Sequence, residues 1–320
     1  MMGFTTEEMK SLISLVDGIK DAENTLQEMK QYYDGYLFSK DGIQHLFNPN
    51  MALYCLDSWQ VHGKGPSDII DKNMISDYRK LENLLELPYE QSQQETIQGI
   101  LDGVHPNVVI TEMFSMESKL TTDDFYSLLF YLGYLTIDET SDFGLTMKIP
   151  NMVMQKVFIS YYRQLLEKTI DFHSDTTSWR NAIVTFLTNN DPSLFVSCIE
   201  NILHTYPDRL FIQFHERNIQ QIAQVIVEAI AGVDADMEWV NDEGYGDFMM
   251  VPANHRYPNK LIELKYLKIG YTQKQLEETK AQAIKQIHKY TSTRQMSRKY
   301  CDSYIMIFAK DQCIYCEQVL

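Results

Sequence analysis

Apolar residues recur at a spacing near 3.6 over residues 5–33, and Thr5 and Thr6 stand before Glu7 and Glu8, so the chain is expected to open in helix. Over residues 32–50 that period breaks, and Asp34-Gly35, Asp41-Gly42 and Asn48-Pro49 read as turns between short strands. From about residue 67 to 205 the helical period returns in "DYRKLENLLEL", "TDDFYSLLFYLGYL", "NMVMQKVFISYYRQLLEKTI" and "PSLFVSCIENIL". Among them, "LGYLTIDETSDFGLTMKIPN" alternates apolar and polar residues around a turn, which predicts a β-hairpin inside a helical region, in the manner of a small winged-helix unit.

Past Tyr206-Pro207 the rhythm changes. A helix is expected over 216–231, strands over 236–241, 246–252 and 260–267, a long polar helix over 272–299, and strands over 303–309 and 313–319. The order α-β-β-β-α-β, with a helix crossing between strands, predicts a mixed sheet flanked by helices. The expected organisation is a helical and hairpin segment over 1–60, a mainly α-helical domain with the small hairpin over 61–205, and an α/β domain over 206–320.

Composition narrows the function classes. Hydrophobic content of 44% and charged content of 22% are ordinary for a globular protein. The N-terminus carries acids inside its first apolar period, and no stretch of about 18 apolar residues occurs later, so neither a signal peptide nor a membrane span is expected. Five scattered cysteines fit reduced thiols in a cytoplasm. Cys313-x-x-Cys316 lacks the second pair that a zinc site needs and reads as part of a terminal strand.

The net charge of −16 argues against a protein that coats nucleic acid non-specifically. That total hides a segregation: residues 254–310 hold twelve Lys/Arg against four Asp/Glu, a local +8 that leaves −24 for the rest. The acidic remainder would repel a phosphate backbone and suits a protein partner instead; the basic region suits nucleic acid.

Within that region "ELK" places Glu263 and Lys265 on one strand face, with Ile262, Leu264 and Tyr266 turned to the opposite layer. Asp247 comes after Gly244 on the preceding strand, and a hairpin would bring its carboxylate to Glu263. Carboxylates a few ångströms apart repel unless a cation sits between them, and hard oxygens suit Mg²⁺ or Mn²⁺. Lys265 beside them would stabilise charge developing on a phosphate or orient the attacking water. On the next helix Gln286 and Tyr290 are four apart and share a face, with Gln282 one turn earlier, while Lys285 and Lys289 form an adjacent column suited to a nucleic-acid backbone. Each piece has a plainer reading: an E-x-K is a common edge-strand salt bridge, a Gln and Tyr column packs many amphipathic helices, and His215 and His288 beside the site suit packing or surface positions.

G-x-x-D (Gly244 to Asp247), E-x-K (Glu263 to Lys265) and Q-x-x-x-Y (Gln286 to Tyr290), in that order, resemble the PD-(D/E)XK nuclease superfamily, particularly its RecB-like type. The wording of "GYGDFMMVP", "KLIELKYLK" and "AIKQIHKY" is similar to the PD-(D/E)XK domain at the C-terminus of bacterial AAA-ATPase-like proteins. "GFTTEEMKSLI", "YYDGYLF", "FNPN", "LLFYLGYLTI" and "MKIPN" resemble the segments that precede it there, residues 1–60 being similar to the end of the ATPase-like domain. The resemblance implies a restriction-endonuclease-like fold and a divalent-metal-dependent phosphodiesterase acting on DNA rather than RNA. It implies metal ligation by Asp247, Glu263 and the Leu264 carbonyl, Lys265 as the catalytic lysine, Gln286 and Tyr290 as an auxiliary pair, and Glu216 as an additional acidic ligand; Glu228, on the same helix, remains an alternative. No G-x-x-x-x-G-K-[ST] occurs, since "HGKGPSD" has the wrong spacing, so ATP hydrolysis is not expected. A catalytically inactive module of the same fold, binding protein or nucleic acid, is the other reading.

Overall fold

The computed structural model describes residues 3–66, 69–70, 93–104, 106–114, 119–170, 173–212, 214–241, 244–253, 256–291 and 301–319; the side chains of 93–95, 169, 237–241 and 244–247 are outside that description. The chain divides into two compact units, Met1–Tyr162 and Arg163–Leu320.

In the first unit the helical spacing over 5–33 is carried by two helices, α1 (Thr6–Ser14) and α2 (Ala22–Tyr33). Thr5 and Glu8 cap α1 reciprocally, and Asp21 restarts the chain as the cap of α2 by accepting from the Asn24 N–H. The break falls at Gly18, where a Cβ would stand 2.6 Å from the Trp59 carbonyl oxygen, closer than any side chain tolerates. The residues expected to pair as short strands over 32–50 form only isolated bridges among the described residues, Phe4↔Phe47 and Tyr36↔Leu46. Asn48-Pro49 is not a turn but the start of α3 (Pro49–His62): the Asn48 side chain accepts from the Asn50 and Met51 N–H groups, and proline occupies the first turn, where its missing donor costs nothing. "DYRKLENLLEL" lies outside the described residues. Helices α4 (Gln93–Leu101) and α5 (Thr122–Tyr131) precede the expected hairpin of β1 (Thr136–Ser141) and β2 (Gly144–Lys148), which Val108 joins through a bridge to Leu145. Helix α6 (Met152–Thr169) comes next.

The second unit holds α7 (Thr176–Asn189), α8 (Ser193–Leu203), α9 (Glu216–Glu228), β3 (Val233–Asn241), β4 (Gly244–Pro252), β5 (Asn259–Leu267), α10 (Gln273–Thr291), β6 (Cys301–Ala309) and β7 (Gln312–Val319). The sheet order is β3-β4-β5-β6-β7, with β5 and β6 parallel and the other pairs antiparallel. Parallel neighbours need a crossover, and α10 supplies it. This is the mixed sheet flanked by helices that the element order predicts, preceded by a mainly helical portion. The long helix expected over 272–299 is helical through Thr291, beyond which residues 292–300 lie outside the described set.

Strand β5 is central and buried on both faces, as its run "NKLIELKYL" requires. On one face Leu261 packs with Met249 and Tyr290, and Ile305 and Ile307 of β6 pack with Ala283 and Ile287, so α10 covers that side. On the other, Tyr304 meets Phe186 edge-on at 4.8 Å and Tyr266 meets Phe214 at 5.0 Å, which brings in the helices that precede the sheet. Helix α9 packs on β3 and β5 and also touches α7 and α8, so every residue from Ile219 to Val227 is buried. Each fully buried isoleucine there contributes about 1.5–3 kcal/mol. That packing fixes the position of the helix's first residue, Glu216.

Candidate active site

Glu263 and Lys265 share the α10 side of β5, where their register partners on β6 are Ile305 and Ile307. The Glu263 side chain is wholly buried and that of Lys265 is 13% exposed. A buried carboxylate is tolerable only when compensated, and the Lys265 Nζ stands 2.8 Å from Glu263 Oε1. The same nitrogen lies 3.0 Å from Oε1 of Glu216, donating a hydrogen bond to it. One ammonium is thus held between two carboxylates, and Glu216, at 37% exposure, is the member that meets solvent.

Glu216 arrives at Lys265 because α9 begins there. The backbone N–H of His215 donates to Asn218 Oδ1 at 3.0 Å, closing the first turn, and an acid at the first position is favoured by the helix dipole. No motif marks Asn218; an Asn three residues into a helix is its only signal in the sequence. Of the two acids on α9, Glu228 is otherwise engaged: its Oε1 accepts from the Ala235 N–H at 3.1 Å, tying the helix end to β3.

Asp247 lies on β4 immediately before Phe248, whose register partner on β5 is Ile262, immediately before Glu263; the Asp247 side chain is outside the described residues. Leu264 is buried on the opposite face from Glu263 and pairs in register with Met306. On α10, Gln286 is half-buried, while Tyr290 is 5% exposed and belongs to the apolar cluster of Met249 and Leu261, one alternation below Glu263. His215 and His288 are exposed, as are Lys285 and Lys289.

A second lysine of β5 belongs to no motif. Lys260 is fully buried on the other face, with its Nζ donating to Asn190 Oδ1 and, at 2.6 Å, to Asp302 Oδ2, and lying 5.7 and 5.8 Å from the ring centres of Phe186 and Tyr304. Beyond these clusters, a cavity of 290 Å³ opens between α7 and α8, where Trp179, Cys198, Asn201 and Ile202 contribute to its wall; it contains none of the predicted site residues. On β7, Cys313 donates its backbone N–H to Glu200, and burial pushes its thiol up to about 12, so it stays protonated at neutral pH. No helix among the described residues is long and apolar enough to cross a membrane.

Residues 214–318 match the family model of the PD-(D/E)XK nuclease superfamily, and the match spans the start of α9, the five strands and α10. No curated protein matches the chain.

Proposed function

We propose that residues 206–320 form a divalent-metal-dependent nuclease that hydrolyses phosphodiester bonds, with DNA preferred over RNA. The observation that carries this reading is the Lys265 ammonium held between Glu263 and Glu216, inside a stretch that matches a nuclease superfamily. Two carboxylates meet one ammonium in a largely buried place. The β4–β5 pairing reaches Phe248 and Ile262, the residues beside Asp247 and Glu263, and Asp247 would bring a third acid to this part of the sheet. Such hard-oxygen donors fit Mg²⁺ or Mn²⁺. Asp247, Glu263, Glu216 and the Leu264 carbonyl would hold the ion, whose contribution when bound is to polarise a phosphoryl oxygen and acidify a water.

The side chains have separable roles in this reading. Lys265, fixed by two acids, presents positive charge to the oxygens on which negative charge grows as the phosphorus is attacked. Gln286 orients the phosphate or the nucleophile from α10. Tyr290 packs beneath Leu261 and steadies β5 against α10. The extra acid on the first helix supports the RecB-like type. The AAA-ATPase-like context of residues 1–60, the helical domain over 61–205 and a cytoplasmic setting belong to the same proposal.

The test is incubation of the purified protein with plasmid DNA, linear DNA and RNA in Mg²⁺ or Mn²⁺. Cleavage that disappears in Asp247→Ala, Glu263→Ala and Lys265→Ala is expected; cleavage that survives all three overturns the assignment. The charge of −24 outside residues 254–310 supports a second reading, a catalytically silent module that meets a protein partner. Absent heat of divalent-ion binding, together with a stable protein complex in a pull-down, would favour it.

A further inference from the structure

We infer that the solvent-facing crest of α10, at Lys285 and Lys289, carries the phosphodiester backbone of the nucleic acid bound to this unit. The choice of polyanion rests on the nuclease reading above; the placement rests on charge and helix geometry.

The two flanks of α10 are identified by what they touch. Tyr290 packs on Met249 of β4 and Leu261 of β5, so its flank faces the strands that carry the site. Lys280 stands 4.3 Å over the ring of Tyr315 and pairs with Glu277, so its flank faces β7. At about 100° per residue, Gln282 and Gln286 fall between Tyr290 and the outermost crest, and Lys285 and Lys289 fall on the crest, roughly opposite Lys280. Both crest lysines are exposed, with exposed His288 beside them.

The charge around them is one-sided. After Glu278 the sequence holds no Asp or Glu until Asp302, so the second half of α10 has lysines at 285 and 289 and no acid. The first half differs: Lys274 faces Glu278 at 3.6 Å, and Glu277 binds Lys280. In the other direction, residues 233–252, which make β3, β4 and their connection, hold six acids and no Lys or Arg. A polyanion is therefore drawn to the C-terminal half of α10 and repelled by the β3–β4 edge. The path it can take past Glu263 and Lys265 runs along the helix, with Gln282 and Gln286 between the crest and the site.

The experiment is fluorescence anisotropy of labelled DNA and RNA oligonucleotides over a NaCl series, in EDTA so that no cleavage intervenes. The variants are Lys285→Gln with Lys289→Gln, and Lys274→Gln as the control on the same helix. All three substituted positions are exposed, and matching thermal melts confirm that folding is kept. Loss of two phosphate contacts lowers the slope of log affinity against log salt by about 1.8 on duplex or about 1.4 on single strands, with the control unchanged. An unchanged slope in the double variant, an equal loss in Lys274→Gln, or no binding by the parent protein overturns the inference. The nuclease reading fails separately: a reduced slope without cleavage under Mg²⁺ or Mn²⁺ keeps the path and removes the activity, and cleavage with an unchanged slope does the reverse.

Discussion

Replacing Lys265 with Met removes the ammonium between Glu263 and Glu216 while keeping the length of the side chain. The lost contacts are 2.8 Å and 3.0 Å, one to a wholly buried carboxylate and one to an acid at 37% exposure. Removing one partner of a buried ion pair costs about 3–5 kcal/mol, because the remaining charge keeps its desolvation cost. Solvent at Glu216 places this case at the low end, about 3 kcal/mol. In a unit of about 160 residues each kcal/mol moves Tm by about 2–4 °C, so the variant melts roughly 6–12 °C lower in EDTA.

The same substitution separates a metal site from a mere salt bridge. With the ammonium gone, Lys265 no longer offsets the two acids, and an ion that binds there stabilises the fold by about 2.7 kcal/mol at a hundred times its Kd. Saturating Mg²⁺ or Mn²⁺ is therefore expected to recover most of the lost Tm in Lys265→Met. It should raise Tm less in the parent protein, where Lys265 already offsets the two acids in part. Scanning calorimetry in EDTA and in each ion, with Lys274→Met as a surface control, gives both numbers. A variant within 2 °C of the parent in EDTA would refute the stability argument; a variant whose melting ignores the ion as the control does would refute the metal argument.

Three further outcomes are expected. Lys260→Ala strands Asp302 and Asn190 around an emptied space and should cost about 3–5 kcal/mol by chemical denaturation, whereas Lys260→Met refills the space and should cost clearly less; equal costs would contradict the buried-pair account. Asp175 and Asp191 are held below the usual carboxylate range by hydrogen bonds from Ser178 and Ser193. Their stabilisation is complete above the unfolded value of about 3.9 and is lost as pH falls through the lower folded-state values, so Asp175→Asn with Asp191→Asn should flatten the fall in Tm below about pH 4. Asn218→Ala opens the first turn of α9 and should cost about 0.5–1 kcal/mol, with a loss of cleavage that Asn218→Asp restores by supplying the same acceptor to the His215 N–H.

Period and turn chemistry made the second unit legible. Every strand expected from the apolar runs after residue 235 is present within three residues of its expected start, and α9 begins at the expected residue, Glu216. The first unit was less legible, and for local reasons. Asn48-Pro49 serves equally as a turn or as a helix cap with its first residue, and only the helical course of the chain after Pro49 decides between them. In the break between α1 and α2, Gly18 lies against the Trp59 carbonyl, forty-one residues away along the chain, a contact that local spacing cannot announce.

The candidate site divides along the same line. Alternation alone puts Glu263 and Lys265 on one face, but which acid of α9 joins them depends on the Glu228 bond to Ala235, and no spacing encodes that. The two lysines of β5 make the point within a single strand. Both sit in one apolar run, five residues apart and therefore on opposite faces, and both pair with carboxylates. Lys265 has its acid two residues away on the same face, a pairing that can be read from the sequence. Lys260 has Asp302 and Asn190, forty-two and seventy residues distant, which sequence spacing cannot reveal. A charge whose compensation is local shows itself before folding is known; one whose compensation comes from other elements looks like an error in a buried strand until the sheet order brings β6 alongside.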